Sequence, residues 1–403
     1  MSLLHPSHSL PTPNAPPLPV FLPNELIAEV LSWFTVKPLM RLMCVSKSWK
    51  SLISDPTFVK LHLHRSSQNA DFTFAYTDDL YNSGCRSVSF TVIRPFENSP
   101  IVINLPKDPY HQLNDKDIRY VVGSCNGLLC LLGSSRVNAK TEKWFRFWNP
   151  ATGTMSPRLG SFCDNDPGIP FNFTFGCDKS NNTYKVVAIM RKTVRIFSLQ
   201  DNVWRNIQDP PEHSYCSMKA VYLRDSVNWL IIRNHYRPTQ KSTTTNKPFA
   251  IISPDLDTET HTQFSFAIIS LDLGTETHTQ LSPPQCFHEI PIDVPNLSIV
   301  NDCLCFSHDF EKTHLIIWLM KEFGMEDSWI QFLKISYHDL QLEHPRADLF
   351  PLCHLEKNDT LVLTNQSKRG IIIYNRRDNR LVKISNPLWY TCANYVESLV
   401  SYC

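Results

Sequence analysis

Leu22-Pro23-Asn24-Glu25-Leu26-Ile27-Ala28-Glu29-Val30-Leu31 opens a stretch that closes on Asp55-Pro56-Thr57-Phe58-Val59-Lys60-Leu61. Its first apolar residues, Leu26, Ile27, Val30, Leu31 and Phe34, recur at three- and four-residue steps, the mark of one buried helix face, and Asn24 suits the cap. Pro38 fits the first turn of a second short helix carrying Leu39, Leu42 and Met43. Ser46 caps a third, with Trp49, Leu52 and Ile53 on one side and Lys47, Lys50 and Ser51 on the other. Asp55-Pro56 ends it and starts a fourth turn with Phe58 and Leu61. A piece of about forty residues lies near the lower limit for a self-sufficient core. It is nonetheless rich in aromatic and aliphatic residues, so part of that apolar surface is expected to serve a partner.

These residues also resemble a known family. Leu22-Pro23, Glu25-Leu26-Ile27, Val30-Leu31, Val36-Lys37, Cys44-Val45-Ser46-Lys47-Ser48-Trp49 and Leu52-Ile53-Ser54-Asp55-Pro56 are similar to the F-box of plant F-box proteins. Two departures are local: Trp33-Phe34-Thr35 stands where that family usually has Arg-Leu-Pro, and Met43 where it has a basic residue. The resemblance implies binding to a Skp-type adaptor. The expected contact residues are Leu22, Pro23, Leu26, Ile27, Val30, Leu31, Val36, Leu39, Cys44, Val45, Trp49, Leu52 and Ile53, some of which must instead form the module's own core.

At 403 residues the chain suits a short helical module followed by one large domain. Net charge is +1, from 39 basic and 38 acidic residues spread evenly, which leaves no electrostatic footprint for nucleic acid or an anionic membrane. The 13 cysteines, an odd number without a CxxC pair, favour a reducing compartment, either cytoplasm or nucleus. Residues 1–21, with six prolines and no apolar run of signal-peptide length, read as a disordered leader. The expected division is 1–21 leader, 22–66 helical module and 67–403 a second, all-β domain.

Beyond Leu61 short β-rich runs take over, beginning with Phe72 to Tyr76, Ser87 to Ile93 and Ile101 to Ile103. Two kinds of hairpin then alternate. The first holds a tight turn, as at Cys125-Asn126-Gly127-Leu128, with looser counterparts expected around Asp178 to Asn182, Arg224-Asp225, Asn301-Asp302 and Glu356 to Asp359. The second carries an aliphatic–aromatic strand ending in a polar turn. From Phe147 to Phe197, Ile269, Trp318 and Ile373 the steps are 50, 72, 49 and 55 residues. Phe249 to Ser265 and Phe266 to Ser282 are tandem copies identical at 14 of 17 positions, and removing one brings 72 to 55. A period near 50 is that of kelch-type propeller blades. Five units are visible, and the three early strands are expected to form a sixth, closed by Tyr395 to Val400. The fold class is therefore a small all-α module followed by an irregular β-propeller-like domain of about six blades. The first copy, with Pro254 in place of Leu271 and a polar loop before it, is expected to loop out or pair only at an edge.

This second domain resembles the F-box-associated interaction domain on Gly123-Ser124-Cys125-Asn126-Gly127-Leu128, Trp148-Asn149-Pro150-Ala151-Thr152-Gly153, Phe175-Gly176-Cys177-Asp178, Asp272-Leu273-Gly274-Thr275-Glu276 and Tyr395-Val396-Glu397-Ser398-Leu399-Val400. Together the two resemblances imply the substrate-recognition subunit of an SCF-type ubiquitin ligase. It would bind the Skp adaptor, and through it cullin and RING subunits, and hold an unknown protein target, with no catalysis of its own and no cofactor. A non-degradative scaffold, or a self-incompatibility-type receptor for a secreted ribonuclease, is the alternative.

Three groups invite a chemical reading. Gly123-Ser124-Cys125-Asn126-Gly127 has the form of a nucleophile elbow, which would make the chain a propeller hydrolase, but an elbow passes into a helix and Leu128 to Leu132 reads as strand. Cys303, Cys305, His308 and His314 carry soft donors, yet leave too little chain between Cys305 and His308 to fold round a tetrahedral ion, so no metal is expected. Trp148, Trp204, Trp229, Trp318 and Trp329 are expected in blade cores, and Arg376, Arg377 and Arg380 on a solvated hairpin tip.

Overall fold

The computed structural model describes residues 22–68, 72–79, 86–94, 101–104, 113–115, 117–137, 140–164, 172–189, 193–207, 214–235, 263–285, 294–342, 349–356, 359–365, 370–385 and 392–402. The Pro-rich leader lies outside them. Four helices come first: α1 (Asn24–Leu31), α2 (Val36–Leu42), α3 (Lys47–Ile53) and α4 (Pro56–Ser67). Ser46 caps α3, its Oγ accepting the Trp49 N–H at 3.1 Å, and Asp55 caps α4 by accepting the Thr57 N–H at 2.8 Å. Asn24 is not a cap; it is the first residue of α1, whose cap position is Pro23. Leu31, Leu39, Ile53 and Phe58 meet in the module's core. Among the described residues no helix is long and apolar enough to cross a membrane.

The remainder is antiparallel sheet, in six groups among the described residues. The first holds β1 (Phe72–Asp79), β2 (Arg86–Arg94), β3 (Ile101–Asn104) and β4 (Leu113–Asn114). The second holds β5 (Ile118–Cys125), β6 (Leu128–Val137), β7 (Lys140–Asn149), β8 (Thr154–Met155) and β9 (Leu159–Asp164). The third is β10 (Asn172–Asp178), β11 (Thr183–Ile189), β12 (Val194–Ser198) and β13 (Val203–Ile207); the fourth is β14 (Ser214–Leu223), β15 (Ser226–His235), β16 (Gln263–Asp272) and β17 (His278–Leu281). The fifth is β18 (Asn296–Val300), β19 (Cys303–Phe310), β20 (His314–Met320) and β21 (Trp329–Ser336); the sixth is β22 (Leu349–Leu355), β23 (Thr360–Asn365), β24 (Gly370–Asn375) and β25 (Arg380–Ser385). The last strand, β26 (Cys392–Tyr395), returns to the first sheet and pairs with β1, Thr73 opposite Tyr395. The first strands β26, β5, β10, β14, β18 and β22 neighbour one another in that order, the arrangement of propeller blades. Closure by pairing with β1 is as expected, but the closing strand is Cys392–Tyr395 and not Tyr395 to Val400; it covers the edge that β1 would otherwise present.

The 50-residue period has a structural cause. Phe147, Phe197, Ile269, Trp318 and Ile373 all lie on the third strand of their sheets, namely β7, β12, β16, β20 and β24. An inner strand sandwiched between neighbouring sheets is apolar on both faces, so it is the most visible run in each unit. Trp148 and Trp318 are buried on third strands and Trp229 on the second strand β15, while Trp204 and Trp329 pack half-buried against neighbouring core clusters.

Antiparallel strands alternate direction, so the turns between first and second strands all open on one rim, together with those between third and fourth. Three are two-residue turns with both residues at positive φ: Asn126 and Gly127, Arg224 and Asp225, Asn301 and Asp302. Arg224-Asp225 and Asn301-Asp302 are thus as tight as Asn126-Gly127, contrary to the sequence expectation. Side chains link this rim from sheet to sheet. Asn126 donates to the Tyr184 hydroxyl, the Tyr222 hydroxyl donates to Cys177 O at 2.8 Å, Arg224 pairs with Asp302 at 2.9 Å, and Asn301 donates to Glu356 at 2.8 Å.

The second tandem copy supplies β16 and β17, as expected. Residues 249–262 of the first copy lie outside the described residues. Its last three, Gln263 to Ser265, are not looped out: they extend β16 opposite Arg233 to His235, and they pair on that side alone, since β17 meets β16 only from Ile268 to Leu271. β15 is ten residues long, so its ladder runs past the point where the copy boundary falls.

Candidate functional site

The thirteen residues expected at an adaptor contact divide into three groups. Leu22, Leu26, Val30 and Val45 are 61, 54, 60 and 70% exposed, and Pro23 and Cys44 are exposed as well. Ile27, Trp49 and Leu52 are half-buried against the module's core. Leu31, Val36, Leu39 and Ile53 are buried and present no surface to a partner; their part is to hold the helices together. The division follows from α1: Ile27 and Leu31 face inward four residues apart, and Leu26 and Val30 sit outward at the same spacing.

Two exposed residues were not foreseen. Trp33 is 65% and Phe34 43% exposed. Phe34 was placed on the buried face by helical spacing, but α1 ends at Leu31 and both aromatics fall in the turn before α2, where that spacing no longer applies. Leu26 and Val30, four residues apart on α1, form an exposed apolar stripe that Leu22 before the helix and Trp33 after it extend along the chain. The signal was present in the sequence as the very three residues that depart from the family pattern.

The stripe is braced from behind by α4. The Arg65 guanidinium lies 4.5 Å from the Trp33 ring centroid, donates to Glu29 O at 2.7 Å, and pairs with the Glu29 carboxylate. His62, fully buried, donates through Nε2 to Phe34 O at 2.9 Å. Burial pushes its pKa below the ordinary histidine value, against the opposing pull of Phe34 O and the Glu397 carboxylate. The turn that displays Trp33 and Phe34 is therefore held by two side chains of one helix.

The other candidate groups are structural. Cys125 ends β5 in a tight turn that leads into strand β6, and desolvation raises its thiol well above the usual range, the opposite of what a nucleophile needs. Cys305 and half-buried Cys303 pack together in the core between the fifth and sixth sheets. His308 faces the other side of β19 with Phe306, its Nε2 accepting from Trp318 at 3.4 Å. Strand alternation separates these donors, so they do not converge on one point. Arg376 is not on a solvated tip: it pairs with Asp359 at 3.1 Å and covers the Phe332 ring, while Arg377 and Arg380 are exposed.

A module that displays an apolar stripe, joined to a propeller with short turns on one rim, defines a two-ended binding protein. Family comparison agrees. Residues 21–61 match the F-box domain and residues 80–402 the F-box associated beta propeller domain; the chain belongs to the F-box proteins that carry this propeller domain. An F-box/kelch-repeat protein of Arabidopsis thaliana is 25% identical over 380 residues, 91% of each chain. The F-box protein CPR1 of Arabidopsis thaliana is 22% identical over 345 residues, 78% of this chain and 73% of the relative. Among solved structures, a chain of the nidogen/laminin complex overlaps 81% of this chain and 99% of its own at a TM-score of 0.40 and 8% identity. An F-box is the Skp-adaptor-binding element of SCF complexes, and the chain takes the substrate-recognition role in that general sense.

Proposed function

We propose that this protein recruits a protein target to an SCF-type ubiquitin ligase, with the helical module (22–66) on the adaptor and the propeller-like domain (67–403) on the target, and that ubiquitination and degradation follow. The observation that carries this is the exposed stripe of Leu22, Leu26, Val30 and Trp33, with Phe34 and Val45 also exposed, in a module whose other large apolar residues are buried or half-buried. An apolar patch of this kind, rimmed by polar residues, is a protein-binding surface. The contact set is Leu22, Pro23, Leu26, Val30, Trp33, Phe34, Cys44 and Val45, supported from below by Ile27, Trp49 and Leu52. The chain would do no chemistry itself; it raises the effective concentration of target near the charged conjugating enzyme. Eight cysteines among the described residues are free thiols, which supports a cytoplasmic or nuclear setting. The test is reconstitution: the chain, purified adaptor, cullin and RING subunits, and a target captured by the propeller-like domain. Ubiquitin transfer that requires the module supports the proposal; adaptor binding without transfer favours the non-degradative scaffold.

A further inference from the structure

The C-terminal segment 396–402 lies between the two domains and touches both. Glu397 and Leu399 face the helical module. The Glu397 carboxylate accepts the Val36 N–H at 3.2 Å, although the two are 361 positions apart in the chain, and Leu399 packs against the cluster of Leu31, Leu39, Ile53 and Phe58. Its even-numbered residues face the propeller. Ser398 is fully buried and its Oγ donates to Asn126 O at 2.6 Å. Asn149 Nδ2 donates to both Ser398 O at 2.9 Å and Val400 O at 2.8 Å, and Val400 and Tyr402 pack on the core between the second and third sheets. Alternation of faces is the geometry of an extended chain. The segment follows directly on β26, the strand that closes the propeller, so its anchorage on that side is covalent as well.

Two further facts show that both sides are fitted to this segment. The Val36 N–H, one of the donors a helix start leaves unpaired, is satisfied by the Glu397 carboxylate, and the side chain of the cap residue Thr35 makes no capping hydrogen bond. On the propeller side a Cβ on Gly127 would lie 2.2 Å from Ser398 Oγ and 2.8 Å from Val396 O, so the turn admits the segment only because it has no side chain there.

We propose that Val396 to Tyr402 is a strut that fixes the orientation of the adaptor-binding stripe relative to the propeller, with Glu397 and Leu399 as positioning residues. A single covalent connection after α4 leaves the two bodies free to swing about it, and the strut supplies a second attachment that removes that freedom. The orientation claim stands on the contacts themselves. Its consequence for ubiquitin transfer rests on the proposed SCF role, because a defined orientation sets where a bound target stands relative to the conjugating enzyme.

The test uses the full chain bound to purified adaptor, with fluorophores introduced through non-canonical residues at Lys50 and Arg377, both exposed. The variants are Glu397→Ala, Glu397→Gln and the double variant Glu397→Ala with Leu399→Ser. The first readout is single-molecule energy transfer, and the second is hydrogen exchange at the Val36 amide. Wild type should give one narrow distance distribution and a protected Val36 amide, though this early helix position lacks an in-helix acceptor. Glu397→Ala should lose the protection, Glu397→Gln should keep it because the amide oxygen still accepts, and the double variant should lose the single narrow peak while adaptor affinity and the propeller's melting are unchanged. A double variant with the wild-type distribution, or one whose adaptor affinity falls together with the peak, overturns the strut. Failure of wild type to bind adaptor at all would sink the SCF reading and leave the distance measurement standing on the free chain.

Discussion

Truncating Leu26 and Leu31 to alanine, one at a time, separates the outward face of α1 from its inward face. Full burial of a leucine side chain is worth about 1.5–3 kcal/mol. Leu26 is 54% exposed in the free protein, so an adaptor that covers it gains about half of that, on the order of 1 kcal/mol. Leu26→Ala should therefore weaken adaptor binding about fivefold and leave the module's melting within about 0.5 kcal/mol of wild type. Leu26→Asp should do far more, since a carboxylate desolvated at the centre of an interface costs several kcal/mol. Leu31 is buried, and removing it leaves a cavity among Leu39, Ile53 and Phe58, so Leu31→Ala should cost about 2–5 kcal/mol of folding stability. Its remaining folded fraction should bind with the wild-type constant. Calorimetric titration with purified adaptor beside thermal melts of each variant reads both effects. Wild-type affinity in Leu26→Asp would show that the stripe is not the adaptor surface.

Three other outcomes follow from the propeller. Gly127→Ala should lower the melting temperature of the second domain and release the C-terminal segment to protease, because the residue sits at φ +83° and its Cβ would strike Ser398; an unchanged melt would contradict the close approach. Asp178 is pushed by burial towards a higher pKa, but hydrogen bonds from Ser180, Asn181 and Lys185 prevail and hold it down at about 2. A lowered folded-state pKa means the unfolded chain takes up the proton first, so a contribution on the order of 2 kcal/mol is complete above about pH 4 and lost as pH falls through 2; Asp178→Asn should flatten that part of the stability profile, and a parallel profile would remove Asp178 as the cause. A thiol alkylating reagent at neutral pH should modify exposed Cys44 and Cys163 and spare Cys125 until the protein is denatured, whereas ready labelling of native Cys125 would reopen the hydrolase reading.

Legibility in the sequence followed the range of the interactions. The blade period was visible because each third strand is apolar on both faces, and a run such as Leu315-Ile316-Ile317-Trp318 needs no knowledge of its neighbours to be read. The caps Ser46 and Asp55 were visible because the whole interaction spans two or three residues. Phe34 was misplaced because helical spacing was carried three residues past the end of α1. Arg376 was misplaced for a different reason: its partner Asp359 lies in the β22–β23 turn of the same sheet and Phe332 on β21 of the neighbouring one. Nor does any local pattern distinguish Leu31, which faces the core, from Val30, which faces out, since both belong to one apolar run and only packing of α1 against α3 decides between them.

The C-terminal segment is the extreme of this trend and shows what the long-range contacts accomplish. Val396 to Val400 looks from the sequence like the continuation of a closing strand, and for β26 that is what the chain does up to Tyr395. Pairing then stops, and the next residues leave the sheet to meet the helical module. Had pairing with β1 continued, Glu397 and Leu399 would have been spent on the ladder, and α2 would begin with an unsatisfied N–H. The segment instead crosses to the helical module, where Leu399 packs against its core and Glu397 accepts the Val36 N–H. The closing strand and these contacts to the module are therefore one continuous piece of chain, and a change that opens the propeller at β26 must also release the module's fixed orientation.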